Sequence, residues 1–182
     1  MSEGQTYVAL LRGINVGGKH KLPMKELAAI FSECKCAEVR TFIQSGNVVF
    51  SASPEVVKQL PAIIGRKIEE RFGFPAPTIL RDCQELTKAI RDNPFAKQGL
   101  PESALHLYFL AKLPTSAAVK SLDPNRSAPD EFRVIGRHIY LHLPNGMART
   151  KLTTAYFDSR LATVCTARNW ATVNKLWQLL AG

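Results

Sequence analysis

Arg12, Asn15, Lys19, His20 and Lys21 alternate with Gly13, Gly17 and Gly18 in one short stretch, LLRGINVGGKHKLPMKEL, residues 10–27. Glycine has no Cβ, so a loop built on it bends sharply and can bring backbone N–H groups close to a ligand. With cations around it, the chemistry implied is the holding of an anion such as phosphate or carboxylate. Gly13-Ile-Asn-Val-Gly17-Gly18-Lys19 also fits the start of the nucleotide-binding loop G-x-x-x-x-G-K-[ST], but His20 stands where that loop needs a Mg²⁺-binding hydroxyl. Pro23 is a second objection. Proline suits the first helical position and is costly deeper in, so the helix should start near Pro23, with Lys19 left in the loop. No later apolar strand ends in an Asp suited to the metal. A structural glycine turn or another kind of anion site fits better.

The elements that must position this loop follow from hydrophobic period. Thr6–Leu11 reads as a buried strand, followed by the loop and a helix to about Ser32 with Met24, Leu27, Ala28 and Phe31 on one face. Residues 40–44 and 48–51 read as a hairpin turning at Gly46-Asn47, which would pair Ile43 with Phe50 and Ser45 with Val48. Ser53 caps a second helix, with Pro54 at its first position, and residues 77–80 form another strand. Asp82 and Glu85 have the spacing of a capping box for a connecting helix. The β-α-β-β-α-β order then recurs, with strands at 105–111, 132–135, 138–143 and 162–166, helices at 116–122 and 151–161, and a final helix carrying Trp170, Val173, Leu176, Trp177 and Leu180. The expected fold class is α+β: two ferredoxin-like (α-β plait) domains in tandem with an added C-terminal helix. Expected boundaries are 1–82 and 104–182, with a connecting helix and loop at 83–103.

In a plait with strand order 4-1-3-2, the loop after the first strand shares a sheet end with the turn between the second and third. That brings Arg12, Asn15, Gly17, Gly18 and Lys19 towards Gln44, Ser45 and Asn47 as a candidate pocket for a phosphate or carboxylate. The alternative is that the short polar side chains only satisfy turn backbone. A second cluster is expected where Arg149 and Lys151 open one helix and Arg168 with Asn169 opens the last. Helix N-termini present unpaired N–H groups, and cations there sit badly unless an anion is bound. On the second hairpin, Phe132, Val134, Ile139, Leu141 and Leu143 should face the helices. Arg133, Ile135, His138, Tyr140 and His142, joined by His106 and Tyr108, should face away, as a ring-bearing platform or a covered interface.

Composition narrows the classes. The 182 residues carry 24 Lys and Arg against 15 Asp and Glu, a net charge of +9. Such an excess attracts polyanions or anionic metabolites, though it also serves solubility alone. The four cysteines, Cys34, Cys36, Cys83 and Cys165, are too scattered for a disulfide framework, and Cys34-Lys-Cys36 has the wrong spacing for zinc. No metal and no cofactor are expected. No apolar run approaches the roughly 20 residues of a membrane helix, and no signal peptide is read, so the expectation is a cytoplasmic chain with no membrane partner.

The stretches ALLRGINVGGKHKLPMKEL, VRTFIQSGNVVFSA, NPF and TARNWATVNKL, in that order, resemble the bacterial family catalogued as domain of unknown function 1697. The resemblance implies a pair of α-β plaits and brings no activity, cofactor or catalytic residue. The function expected is therefore non-catalytic binding of an anionic partner, either nucleic acid or a phosphorylated metabolite. A small-molecule enzyme with a site between the domains is the alternative, although no nucleophile–base–orienter set is visible. So is an interaction or assembly module that self-associates through sheet edges.

Overall fold

Seven consecutive residues from Gln5 to Leu11, apolar from Tyr7 on, form β1, the central strand of the first sheet in a computed structural model that describes residues 4–182. Elements β1, α1 (Met24–Glu33), β2 (Ala37–Phe42), β3 (Asn47–Ala52), α2 (Pro54–Phe72) and β4 (Thr78–Asp82) follow in turn. Next come α3 (Cys83–Arg91) and α4 (Pro94–Lys97), then β5 (Leu105–Leu110), α5 (Ser116–Lys120), β6 (Glu131–Ile135), β7 (His138–His142), α6 (Thr154–Leu161), β8 (Cys165–Asn169) and α7 (Trp170–Ala181). Among the described residues the architecture is mixed α+β: seven helices and two four-stranded antiparallel sheets, ordered β2-β3-β1-β4 and β6-β7-β5-β8. The chain divides into two compact units, one running through Leu86 and including Leu176–Gly182, the other Thr87–Lys175. These divisions fall inside α3 and α7.

In the first unit, β1 pairs Tyr7 with Phe50 and Ala9 with Val48, which sets one face of the sheet against α1 and α2. Leu27, Ile30 and Phe31 of α1 and Leu60, Ile64 and Ile68 of α2 close over it, with the Phe31 and Phe50 rings 5.2 Å apart. Burying each such side chain is worth about 1.5–3 kcal/mol, which is why two helices on one apolar face suffice to hold the sheet. As the sequence indicated, Ser53 Oγ caps α2 by accepting from Val56 N–H. Gly73 ends it in the left-handed conformation at φ 78°.

Glu33 at the end of α1 accepts hydrogen bonds from Lys67 and Arg71 of α2. Arg71 first, then Lys67, hold its carboxyl down at about 2. A carboxyl lowered in the folded state stabilises the fold above its unfolded value, and that stability fades as pH falls through the folded value. Glu33→Gln should therefore flatten the decline of Tm between pH 4.5 and about 2 relative to the parent chain, modestly because the pair is exposed. Parallel declines would show that solvent screens the pair fully.

The second unit repeats the plan with β5, α5, β6, β7, α6 and β8. Ile135 pairs with His138, so the chain turns at Gly136-Arg137 as expected. Three expectations are corrected. Residues 43–46 form the first hairpin's turn, Phe42 pairing with Asn47, because Asn47 Nδ2 donates to Phe42 O and Ser45 Oγ and so closes a longer loop. His106 pairs with Leu141 and Tyr108 with Ile139, which puts both on the helix-facing side, where the Tyr108 hydroxyl donates to Leu152 O. Finally, α6 starts at Thr154, because Thr153 Oγ1 accepts from Tyr156 N–H and caps it there.

Candidate functional site

The glycine loop is a small hairpin in its own right. Lys19 N–H donates to Val16 O at 3.0 Å and Asn15 N–H to His20 O at 3.0 Å. Between Val16 and Lys19, Gly17 and Gly18 take φ of 58° and 73°. Both central residues of this two-residue turn are left-handed, a conformation costly for most L side chains, so the turn itself accounts for the pair of glycines. His20 closes the loop by its Nδ1 contact to Gly13 O, 2.9 Å, and by stacking on Phe74. Lys19 thus lies in a turn, ahead of a helix that starts only at Met24, and this is not the geometry of a nucleotide-binding loop.

Asn15 ties this loop to the neighbouring turn. Its Nδ2 donates to Leu22 O and Gln44 O, each at 2.9 Å, and its Oδ1 accepts from Leu22 N–H at 2.8 Å. Leu11 N–H donates to Gly46 O, and Arg12 N–H to Pro77 O. The rim foreseen from the sequence is present, since the 12–20 loop and the 43–46 turn meet. Asn15, Ser45 and Asn47, however, spend hydrogen-bonding capacity on holding it, Asn47 while wholly buried. These short polar side chains build the rim in the way expected of turn residues.

Beside the rim lies an open cleft of about 560 Å³, lined by Asn15, Gly18, Lys19, Lys21, Leu22, Pro23, Met24, Lys25 and Gln44. Asn15, Gly18, Lys19 and Gln44 of the sequence candidates reach it, whereas Arg12, Gly17, Ser45 and Asn47 do not line it. Lys21 and Lys25 do. Lys25 belongs to the first turn of α1, and its spacing of four from Lys21 across Pro23 was the available signal. Pro23 occupies the cap position of α1 and makes no side-chain cap hydrogen bond, so the first N–H groups of that helix open without a capping oxygen beside three lysines. No carboxylate is among the lining residues. Orphan helix N–H groups and positive charge together favour an anion.

The second cluster does not assemble as expected. Arg149 sits in a 3-10 turn, Met147–Arg149, and Lys151 N–H donates to Ser127 Oγ, both upstream of α6. Arg168 lies within β8 opposite Leu107, buried, with Nη1 donating to Thr166 Oγ1 and Ala167 O. Burial pushes its guanidinium down to about 10. Asn169 does open the last helix, its Oδ1 accepting from Thr172 N–H. The face once open to a stacking role is covered: the Tyr140 hydroxyl donates to Ala89 O and Phe95 packs on His142. The four thiols are free, and burial raises Cys34 and pushes Cys36 up to about 12, leaving them protonated at neutral pH. Among the described residues no group of three His, Cys, Asp or Glu could hold a metal, and no helix is long and apolar enough to cross a membrane.

The sequence pattern of the family described as "Protein of unknown function (DUF1697)" matches residues 5–140. The chain belongs to the DUF1697 family. Both the glycine loop and the 43–46 turn fall within the matched part of this DUF1697 protein. A solved structure described as a conserved bacterial protein from Streptococcus pneumoniae is similar over 97% of this chain and 98% of its own, with a TM-score of 0.70 and 23% identity. At that identity the likeness is one of fold. No curated protein matches this DUF1697 chain.

Proposed function

We propose that this protein binds an anionic partner, a phosphorylated metabolite or a nucleic acid, in the cleft between the glycine loop and the start of α1. The observation that carries the reading is the lining itself: Lys19, Lys21 and Lys25 beside a helix N-terminus with no side-chain cap, and no carboxylate lining the cleft, Glu26 of the same first turn lying outside it. A cation at a helix N-terminus is opposed by the helix dipole, and a bound anion reverses that penalty. Nothing in the cleft pairs a nucleophile with a base, so the proposed role is binding without catalysis. We also propose that each unit is a ferredoxin-like plait. The β-α-β-β-α-β succession and the strand order β2-β3-β1-β4, repeated as β6-β7-β5-β8, support this.

A thermal-shift series at low salt with pyrophosphate, nucleotides, and short DNA and RNA tests the binding role. A ligand at a hundred times its Kd should stabilise the fold by about 2.7 kcal/mol and raise Tm accordingly. If every anion leaves Tm unmoved, the proposal fails. Affinity that falls steeply with log salt would select nucleic acid over a metabolite.

A further inference from the structure

Val16 and Ile43 are large apolar side chains left 65% and 50% exposed. They stand one residue to either side of the hydrogen bond from Asn15 Nδ2 to Gln44 O, and so share the tip of the rim. Ile43 also holds φ at 48°, in the left-handed region. A β-branched residue is unusual there, and Gly or Asn would fit at lower cost. Half exposed, its side chain gains little from packing to offset that strain. The turn therefore displays an isoleucine that folding does not require.

We propose that this aliphatic tip is a wedge for duplex DNA, its lysine cleft holding the phosphates. The inference rests on the anion-binding reading and narrows it to one class of partner. Lys19, Lys21 and Lys25 call for negative charge, while Val16 and Ile43 call for apolar surface, and inorganic phosphate or pyrophosphate supplies only the first. Nucleic acid supplies both. The tip is aliphatic, whereas single-stranded bases are held by stacking on exposed rings. The rings at this loop, His20 and Phe74, stack on each other at 4.6 Å, and Phe74 is buried. Aliphatic side chains instead enter between base steps from the minor groove, flanked by Lys, Arg, Asn or Gln, and Gln44 is exposed beside Ile43. A rigid mount suits a wedge, and the turn is locked by Asn47 within and Asn15 across.

The test is fluorescence anisotropy of a short labelled DNA duplex, with pyrophosphate binding followed in parallel. Val16→Ser with Ile43→Gly should lower duplex affinity about tenfold, the loss of two apolar contacts, while leaving the salt slope and pyrophosphate affinity unchanged. Ile43→Gly alone relieves the strained φ, so its Tm should equal or exceed that of the parent chain while duplex affinity still falls. Unchanged duplex affinity in both variants overturns the wedge and leaves the anion site standing. Binding of pyrophosphate without duplex, stronger binding to single strands, or binding to anionic phospholipid vesicles in place of duplex overturns it too. Binding of none of these probes defeats the anion reading itself.

Discussion

Gly46→Ala should destabilise the first unit by about 2–4 kcal/mol, seen as a lowered urea midpoint with the slope unchanged. A Cβ at position 46 would lie 2.8 Å from Leu11 Cβ and 2.9 Å from Ile14 Cδ1. The first of these atoms is fixed to the β1 backbone, and both residues are buried, at 1% exposure each. Overpacking of this kind typically costs about 1–3 kcal/mol. The φ of +80° adds about 1 kcal/mol for any L side chain. The hydrogen bond from Leu11 N–H to Gly46 O, 2.8 Å, leaves the turn little room to retreat. The same substitution should weaken anion binding, because displacing the 43–46 turn moves Gln44 away from the cleft. A loss below about 0.5 kcal/mol would mean that the rim is soft, and would undercut the claim that it is a preformed mount.

Replacing Lys19, Lys21 and Lys25 together by alanine should lower affinity for pyrophosphate at least a hundredfold, read by isothermal titration calorimetry. Hydrogen bonds from charged groups contribute about 1.5–3 kcal/mol each when well made, and exposed pairs well under 1 kcal/mol. Three cations at an open cleft fall between these limits, and about 2.7 kcal/mol corresponds to a hundredfold. Because all three side chains are exposed, Tm without ligand should move little. Lys97→Ala with Lys112→Ala and Lys120→Ala, three exposed lysines of the second unit, provides the matched loss of charge elsewhere and should leave binding intact. An equal loss in that control would assign the effect to net charge and not to the cleft.

Much of the scaffold was legible in the sequence because period and punctuation agree there. Ser53-Pro54 at the start of α2, Asp82 with Glu85 at α3 and Gly136-Arg137 in the second hairpin each obey a local rule that tertiary packing does not disturb. The 43–46 turn was misread because Gly46-Asn47 matches a favoured two-residue turn, while Asn47 is needed in the strand, buried and bonded back to Phe42 O. That single shift decided which residues face the rim. The faces of His106 and Tyr108 depend on the pairing register of β5 with β7, which no residue in β5 announces. At the site, sequence found the loop and its partner turn and left Asn15 and the paired glycines open between a ligand and the turn's own backbone; hydrogen bonds and left-handed φ values give them to the fold. Lys25 escaped notice because its place depends on where α1 begins relative to the loop.

Backbone amide chemical shifts followed during titration with pyrophosphate test the central claim most directly. Saturable changes confined to Gly18, Lys19, Lys21, Met24, Lys25 and Gln44, and absent from Arg149, Lys151 and Arg168, are the result this account predicts. No saturable change at those amides, or a response centred on the second unit, would contradict it.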